Sequence, residues 1–263
     1  PSELLAMLER EAGSLAGSVE IISLDDGTGD AELTARLTQQ LASLTLPVCL
    51  ITLASNEGRA IGRNRLASAA RGHFLVFLNP DAFLEAGCVK ALARAARKGI
   101  SPCIVGARVL NEDRTEQRGG RRGELTPVTT LLSFTRLTHL SPALSKFEIH
   151  REHEPVPTRP EPVPVIAGAC FGVSRSDFRK LQGFDGRFFL HVEDVDLCWR
   201  ARGMGGQVLF QPHATVVHLG HTSLVEPVFV EFFKGRGLAR YFVKRADTVP
   251  RQVLAWLLGP LIM

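Results

Sequence analysis

The stretch FFLHVEDVDLCWR, residues 188 to 200, sets three acids within four positions directly after an apolar, aromatic run. If a helix begins near His191, Asp194 shares a face with Leu197, Cys198 and Ala201 at i, i+3, i+4 and i+7, and so heads the inward side. Asp196 and Arg200, four apart, can pair on the neighbouring face. Glu193 falls in the first turn, where the helix dipole favours an anion. The cluster is thus either a charged helix start or an acid presented from a buried face for chemistry. A second group, LNPDA at 78 to 82, puts Asn79 and Asp81 just past the apolar strand HFLVFL. Hard oxygen donors there suit Mg²⁺ or Mn²⁺, although Asn, Pro and Asp also favour an ordinary strand-ending turn. Asp25 and Asp26 open the turn DDGTGD after another apolar strand, VEIISL.

The elements that must hold these residues alternate. A helical stripe of Leu4, Leu8, Ala12 and Leu15 precedes the strand VEIISL. A helix with Leu33, Leu37, Leu41 and Leu44 follows, then the strand PVCLITL, a small-residue helix from about Arg59 to Ala70, and HFLVFL. Strands apolar on both faces, alternating with helices, predict an α/β fold with a mainly parallel sheet covered on each side. Ligands gather at the carboxyl ends of strands in such sheets, which is where the two acidic turns lie. Asn64 is a poor helix former within the small-residue helix, beside Arg63 and Arg65. These three either reach a ligand or form a solvated face, the latter being expected for Arg63. Residues 111–164, with RGGRRG and EPVPTRPEPVP, lack periodicity and read as an irregular, partly mobile insertion. Order resumes with the strand VIAGACFGVS, the acidic helix, and strands GQVLFQP and ATVVHLGHTS.

At 263 residues and 45% hydrophobic, the chain can bury a full core as one large domain. Five scattered cysteines without a C-x-x-C suggest neither a disulfide framework nor a zinc site and fit a reducing cytosol. No apolar run reaches the ~18 residues that span a bilayer, and the first residues do not read as a secretion signal. Residues 227–263 hold six Lys or Arg against Glu231 and Asp247, which leaves 25 bases and 25 acids elsewhere. A neutral body argues against nucleic-acid binding. In the tail, Phe229, Phe232, Phe233, Tyr241 and Phe242 alternate with bases ahead of VLAWLLGPLIM, a pattern for contact with an anionic membrane or for packing on the body.

Taken together, LDDGTGD, SNEGRAIGRNRLASAARGHFLVFLNPDAFLEAG and GACFGVSRSDFRKLQGFDGRFFLHVEDVDLCWRARGMGGQVLFQPHATVVHLGHTS resemble the bacterial family 2 glycosyltransferases, particularly the rhamnosyltransferase-like branch that builds cell-surface polysaccharides. The resemblance implies a GT-A-like three-layer α/β/α sandwich from which the family's first strand is absent. It divides residues 1–226 into a nucleotide-sugar half (1–110), the insertion (111–164) and an acceptor half (165–226), with 227–263 as a helical extension. It implies that Asp25 or Asp26 contacts the nucleobase and ribose and that Asn64 and Asn79 lie near the donor. Asp81 then binds a divalent ion on the donor diphosphate with His218 as a further ligand, and Asp194 is the base, with Glu193 the next candidate. Asn79 departs from the Asp-x-Asp of many relatives, which leaves one charged ligand fewer.

On that reading the protein moves a sugar, with dTDP-rhamnose a candidate donor, to a saccharide or lipid-linked acceptor. It does so with inversion, in the cytoplasm or at the inner face of the cell membrane. A nucleotidyltransferase would show a Gly-rich, Lys-containing loop near its start, and none is present. A nucleotide-sugar-binding module without catalysis remains the non-enzyme alternative, supported by the absent first strand.

Overall fold

The computed structural model describes residues 2–15, 17, 19–220, 226–246, 248, 253 and 255. In chain order, α1 (Ser2–Gly13) precedes β1 (Ile21–Asp25), α2 (Ala31–Ala42), β2 (Val48–Thr52), α3 (Arg59–Ala69), β3 (Phe74–Leu78), β4 (Ala82–Leu84), α4 (Cys88–Lys98) and β5 (Cys103–Leu110). Short elements follow: β6 (Arg121–Arg122), α5 (Pro127–Phe134), α6 (Pro142–Ser145), β7 (Glu161–Pro162) and β8 (Val165–Ile166). The chain continues with β9 (Cys170–Ser174), α7 (Arg175–Lys180), α8 (Glu193–Gly203), β10 (Gln207–His218) and α9 (Pro227–Arg245).

The α/β class expected from the alternation is the one observed, and the sheet is mixed. β1 and β2 pair in parallel, Ile21 opposite Val48 through Asp25 opposite Thr52. The larger sheet runs β3-β9-β5-β10-β4, with β7 also on β10. Within it β5 and β10 are parallel, while β9, β4 and β7 pair antiparallel with their neighbours. Period-two alternation divides β3 between two cores: Leu75 and Phe77 face one side, Phe74, Val76 and Leu78 the other. On the first side Phe77, Phe171, Phe178 and Phe184 meet ring to ring under α3, α7, α8 and α9, with Phe77 and Phe171 stacked at 4.9 Å. α1 and α4 cover the other side, around Leu92, Val105 and Val109. The Glu11 carboxylate of α1 accepts the N–H groups of Gly87 and Val89, both at 2.8 Å, and so docks one helix onto the start of the other.

Three expectations about elements need correction. VIAGACFGVS is not one strand: β8 and β9 are separated by Ala167–Ala169, whose backbone turns into the polar site described below. The two closing strands are instead one, β10, which absorbs its extra residues as a bulge between Gln211 and Thr215. The acidic helix starts at Glu193, because His191 (φ 63°) and Val192 (φ 69°) are both left-handed.

The 111–164 segment carries short elements held by a buried guanidinium. Arg121, 1% exposed, donates to Glu116 at 2.6 Å and to the Glu154 carbonyl at 2.7 Å. Of the two alternatives for the tail, α9 shows packing on the body in its second half. Leu238, Tyr241 and Phe242 complete the first core, and Lys244 donates to Asp185 (2.8 Å) and Asp196 (2.6 Å). Phe229 and Phe232 stay 42% and 51% exposed. Most of VLAWLLGPLIM, and residues 221–225 with the HTS of VVHLGHTS, lie outside the described residues.

Candidate functional site

The turn between β3 and β4 supplies the first half of the site. Asn79 closes it, its N–H donating to the Ala169 carbonyl (2.9 Å) and its own carbonyl accepting from Ala82 (3.1 Å). Pairing of β4 with β10 sets His218 opposite Ala82. His218 Nε2 then lies 3.2 Å from Asp81 Oδ1 and 3.3 Å from Asn79 Nδ2. Gln117 decides the tautomer. Its amide nitrogen donates to Asn111 Oδ1 and to the His218 carbonyl, both at 3.1 Å, so its oxygen accepts from His218 Nδ1–H at 2.7 Å. With Nδ1 occupied by Gln117, Nε2 is the nitrogen that faces the Asp81 carboxylate, and the two together could ligate a cation. Among the described residues no group of three or more His, Cys, Asp or Glu could hold a metal. Asp81 and His218 fit a divalent ion as a two-ligand face that leaves the remaining positions to phosphate oxygens and water, the usual manner of Mg²⁺.

The second half is the start of α8. Two consecutive left-handed residues other than glycine are costly, and Val192 especially so as a β-branched residue. α9 packs closely against this turn: a Cβ on Gly237 would lie only 3.0 Å from Val192 Cγ2. This turn aims the first helical residues into the site. Asp194 Oδ1 accepts from the Val195 N–H (2.8 Å), and Oδ2 accepts from Arg122 Nη2 (2.8 Å) and the Gly168 N–H (3.0 Å). Burial alone would raise the Asp194 carboxyl, but Arg122 and then Arg63 outweigh it and hold the group below the usual carboxylate range. His191 is pushed down to about 4 by burial and by Arg59, so its ring is neutral near pH 7.

A single guanidinium joins the halves. Arg63 donates to Glu193 Oε1 (3.0 Å), to Asn79 Oδ1 (3.0 Å) and to the Gly168 carbonyl (2.7 Å), and the N–H of that same glycine holds Asp194. Arg63 is 9% exposed and is not part of a solvated face, which corrects the sequence expectation. The signal was its company: Ala60 and Gly62, small enough for close approach, are buried with it. Glu193, 2% exposed, is the ion-pair partner of Arg63. Burial pushes its carboxyl up against the pull of Arg63.

The other expected donor contacts are already engaged. Asn64 clasps the backbone of Phe184 in both directions, each bond 2.8 Å, and does not join the Asn79–Asp194 group. Asp25 accepts from the Thr28 N–H (3.0 Å) and the Thr34 hydroxyl (2.8 Å); these bonds, the Thr28 amide first, hold its carboxyl low. Asp26 accepts the N–H groups of Glu57 (2.9 Å) and Gly58 (3.2 Å), linking the end of β1 to the SNEG loop. Sequence reasoning passed over Arg122, Gly168 and Gln117, which position Asp194 and His218 from the segments least regular in pattern.

A turn with Asn79 and Asp81 beside His218, and a helix start with Glu193 and Asp194, joined by a buried arginine, would fit several nucleotide-dependent enzymes. Residues 2–182 match the family described as Glycosyl transferase family 2. The chain belongs to that family. It is 27% identical over 237 residues to the N-acetylglucosaminyl-diphospho-decaprenol L-rhamnosyltransferase of Mycobacterium tuberculosis, covering 80% of this chain and 71% of that one. The Rhamnosyltransferase WbbL of Escherichia coli is 36% identical over 55 residues, 21% of each chain. Solved GT-A glycosyltransferases share the fold. The mannosyltransferase PcManGT of Pyrobaculum calidifontis, in complex with GDP-Man and Mn²⁺, superposes with a TM-score of 0.57 at 14% identity, over 99% of this chain and 66% of that one. GalNAc-T7 with UDP, GalNAc and Mn²⁺ gives 0.57 at 18% identity over 90% of this chain, which spans 41% of the GalNAc-T7 chain.

Proposed function

We propose that this family 2 glycosyltransferase moves a sugar, with inversion, from a nucleotide-diphosphate donor to a hydroxyl of a saccharide or lipid-linked saccharide. The observation that carries the reading is the backbone of Gly168, whose carbonyl accepts from Arg63 and whose N–H donates to Asp194. The acid and the Asn79–Asp81–His218 corner are thereby fixed in one frame. Asp194 is kept ionised, and its Oδ1, which accepts the Val195 N–H, keeps a second lone pair for a further hydrogen bond, while Oδ2 already takes Arg122 and Gly168. It can therefore accept the proton of an acceptor hydroxyl as that oxygen attacks. One base and one displacement invert the anomeric centre. Asp81 and His218 hold the divalent ion, Mg²⁺ or Mn²⁺, which when bound offsets charge on the departing diphosphate. Asn79 carries no charge, so Asp81 alone supplies the anionic protein ligand in that turn. Asp25 or Asp26, at and just past the end of β1, is the residue we assign to the nucleoside. The rhamnosyltransferase names of the relatives support a deoxyhexose donor such as dTDP-rhamnose.

The test is a screen of nucleotide sugars for donor hydrolysis and transfer, with and without Mn²⁺, on three proteins. Wild type should turn over one donor in a metal-dependent way. Asp81→Ala should lose the metal-dependent part of nucleotide binding in calorimetry. Asp194→Asn should bind nucleotide as wild type does and fail to transfer. Unchanged metal dependence in the first variant, or substantial transfer by the second, would remove the assignment.

A further inference from the structure

On the far side of α8's entry turn, a cleft of about 310 Å³ opens between Arg187–Phe189 and α9, lined by Arg187, Phe188, Phe189, Phe233, Arg236 and Arg240 among others. Its charges are unbalanced. Arg187 is the one guanidinium with an acid, Asp185 (2.7 and 2.9 Å), and that carboxylate also serves Lys244 at 2.8 Å. Among the described residues Arg236 and Arg240 have no carboxylate partner. Arg240 donates to the Arg187 carbonyl at 3.1 Å, and Arg236 lies over the Phe233 ring, 5.9 Å from its centroid. The walls are aromatic. Phe189 and Phe233 sit 4.7 Å apart, Phe233 and Phe229 4.6 Å, so the rings lead from the guanidinium groups to the first turns of α9. There Val228, Phe229 and Phe232 are 79%, 42% and 51% exposed, an apolar strip continuous with the cleft. None of these residues takes part in the Asn79–Asp194 frame, yet Phe189 is wired to it, because its carbonyl accepts the Arg59 N–H (2.8 Å) at the start of the helix that carries Arg63.

We propose that this cleft binds a phosphoryl group carried on an apolar chain. Converging guanidinium forks match phosphate oxygens in geometry and in charge, and a single carboxylate would satisfy only one of them. Aromatic walls hold cationic side chains by their faces while excluding water from a hydrocarbon. A free inorganic anion would leave the ring ladder and the exposed strip unused, and a neutral amphiphile would leave two arginines unpaired. The inference deepens the proposed transfer by giving a lipid-linked acceptor a seat for its carrier. The same chemistry would also capture an anionic lipid headgroup. Binding at the cleft requires neither donor nor metal, so it can be judged apart from the transfer reaction.

The probe is octyl phosphate below its micelle concentration, titrated calorimetrically into the full chain, beside inorganic phosphate and octyl glucoside. Octyl phosphate should bind at least tenfold more tightly than either control. Arg236→Ser with Arg240→Ser should weaken it at least tenfold while the thermal transition stays in place, since both lie outside the Leu238–Tyr241–Phe242 packing face. Phe233→Ser should reduce the affinity toward that for inorganic phosphate, and Asp194→Asn should leave it unchanged. Equal affinity for either control, indifference to the double arginine variant, or competition by a nucleoside diphosphate would overturn the proposal. Vesicle flotation then assigns the source. Arginine-dependent recovery with phosphatidylglycerol but not phosphatidylcholine supports a membrane headgroup. Tight octyl phosphate binding without recovery on either vesicle supports a lipid-linked substrate.

Discussion

Replacing Arg63 by Met should be among the most destabilising single changes in the protein, and replacing its partner as well should undo most of the loss. The Arg63 and Glu193 side chains are 10% and 3% exposed and 3.0 Å apart. Removing the guanidinium strands a buried carboxylate, whose Oε2 already lacks a hydrogen-bond partner, and also frees Asn79 Oδ1 and the Gly168 carbonyl. Breaking one side of a buried pair costs about 3–5 kcal/mol, and for a chain of this size each kcal/mol lowers Tm by roughly 2–4 °C. Arg63→Met should therefore lower Tm by roughly 6–20 °C. Glu193→Met should be costly for the mirror reason. In the double variant two unbranched apolar chains fill the space, and such replacements of whole pairs are often neutral within about 1–2 kcal/mol, so urea unfolding should return a coupling energy of at least about 2 kcal/mol. A loss under about 1 kcal/mol in Arg63→Met, or strict additivity in the double variant, would show that the pair is not what holds the site frame.

Two further outcomes follow from the charges. Arg122→Gln removes the main cation holding the Asp194 carboxyl low, so that carboxyl should rise and the acid limb of kcat/KM should move to higher pH with nucleotide affinity unchanged; an unmoved limb would mean that another group governs it. Glu148 is held at about 2 although burial alone would raise it, because Ser133, Thr138 and His150 donate to it. With its folded value below the ordinary 4.5, the stability it contributes is complete above about pH 4.5 and is lost as pH falls toward 2. Pepsin nicking of residues 127–150 should rise through that window in wild type and vary far less in Glu148→Gln, and parallel curves for the two proteins would refute the assignment.

What could be read from the sequence was whatever depends on local pattern. Apolar periodicity located the strands and helices that carry Asp25, Asp81 and Asp194, and the i, i+4 spacing of Asp196 and Arg200 predicted an ion pair found at 2.8 Å. What escaped depends on where separate segments meet. Asn64 looked available for a ligand because its partner, the Phe184 backbone, lies 120 residues away. Gly168 sits in a stretch apolar enough to read as one strand, and only the paired geometry of β9 with β3 and β5 reveals the break. The late helix start escaped because nothing in the string His191–Val192 announces two left-handed residues. The packing partner at that turn, Gly237, comes from α9, a helix that begins 35 residues further on.

The opening puzzle of three acids beside a core resolves into three environments. Asp196, fully buried, is neutralised by Arg200 and Lys244 and ties α8 to α9. Glu193, also dry, faces Arg63 and is pushed up by burial. Asp194, 13% exposed, is held low by Arg122 and Arg63 and keeps a path to solvent. Neighbouring carboxylates whose environments drive their protonation apart are how a site separates a brace from a base. On one turn of helix the direction of that separation is set by which cation each acid meets: a buried arginine on α3 for Glu193, and an arginine from the 111–164 segment for Asp194. Arg122 lies on β6, in the 111–164 insertion rather than in the half expected to take the acceptor. The acid we propose as the base is therefore tuned from that same segment, and an acceptor that displaced Arg122 from Asp194 would make the carboxylate a stronger base as it arrived.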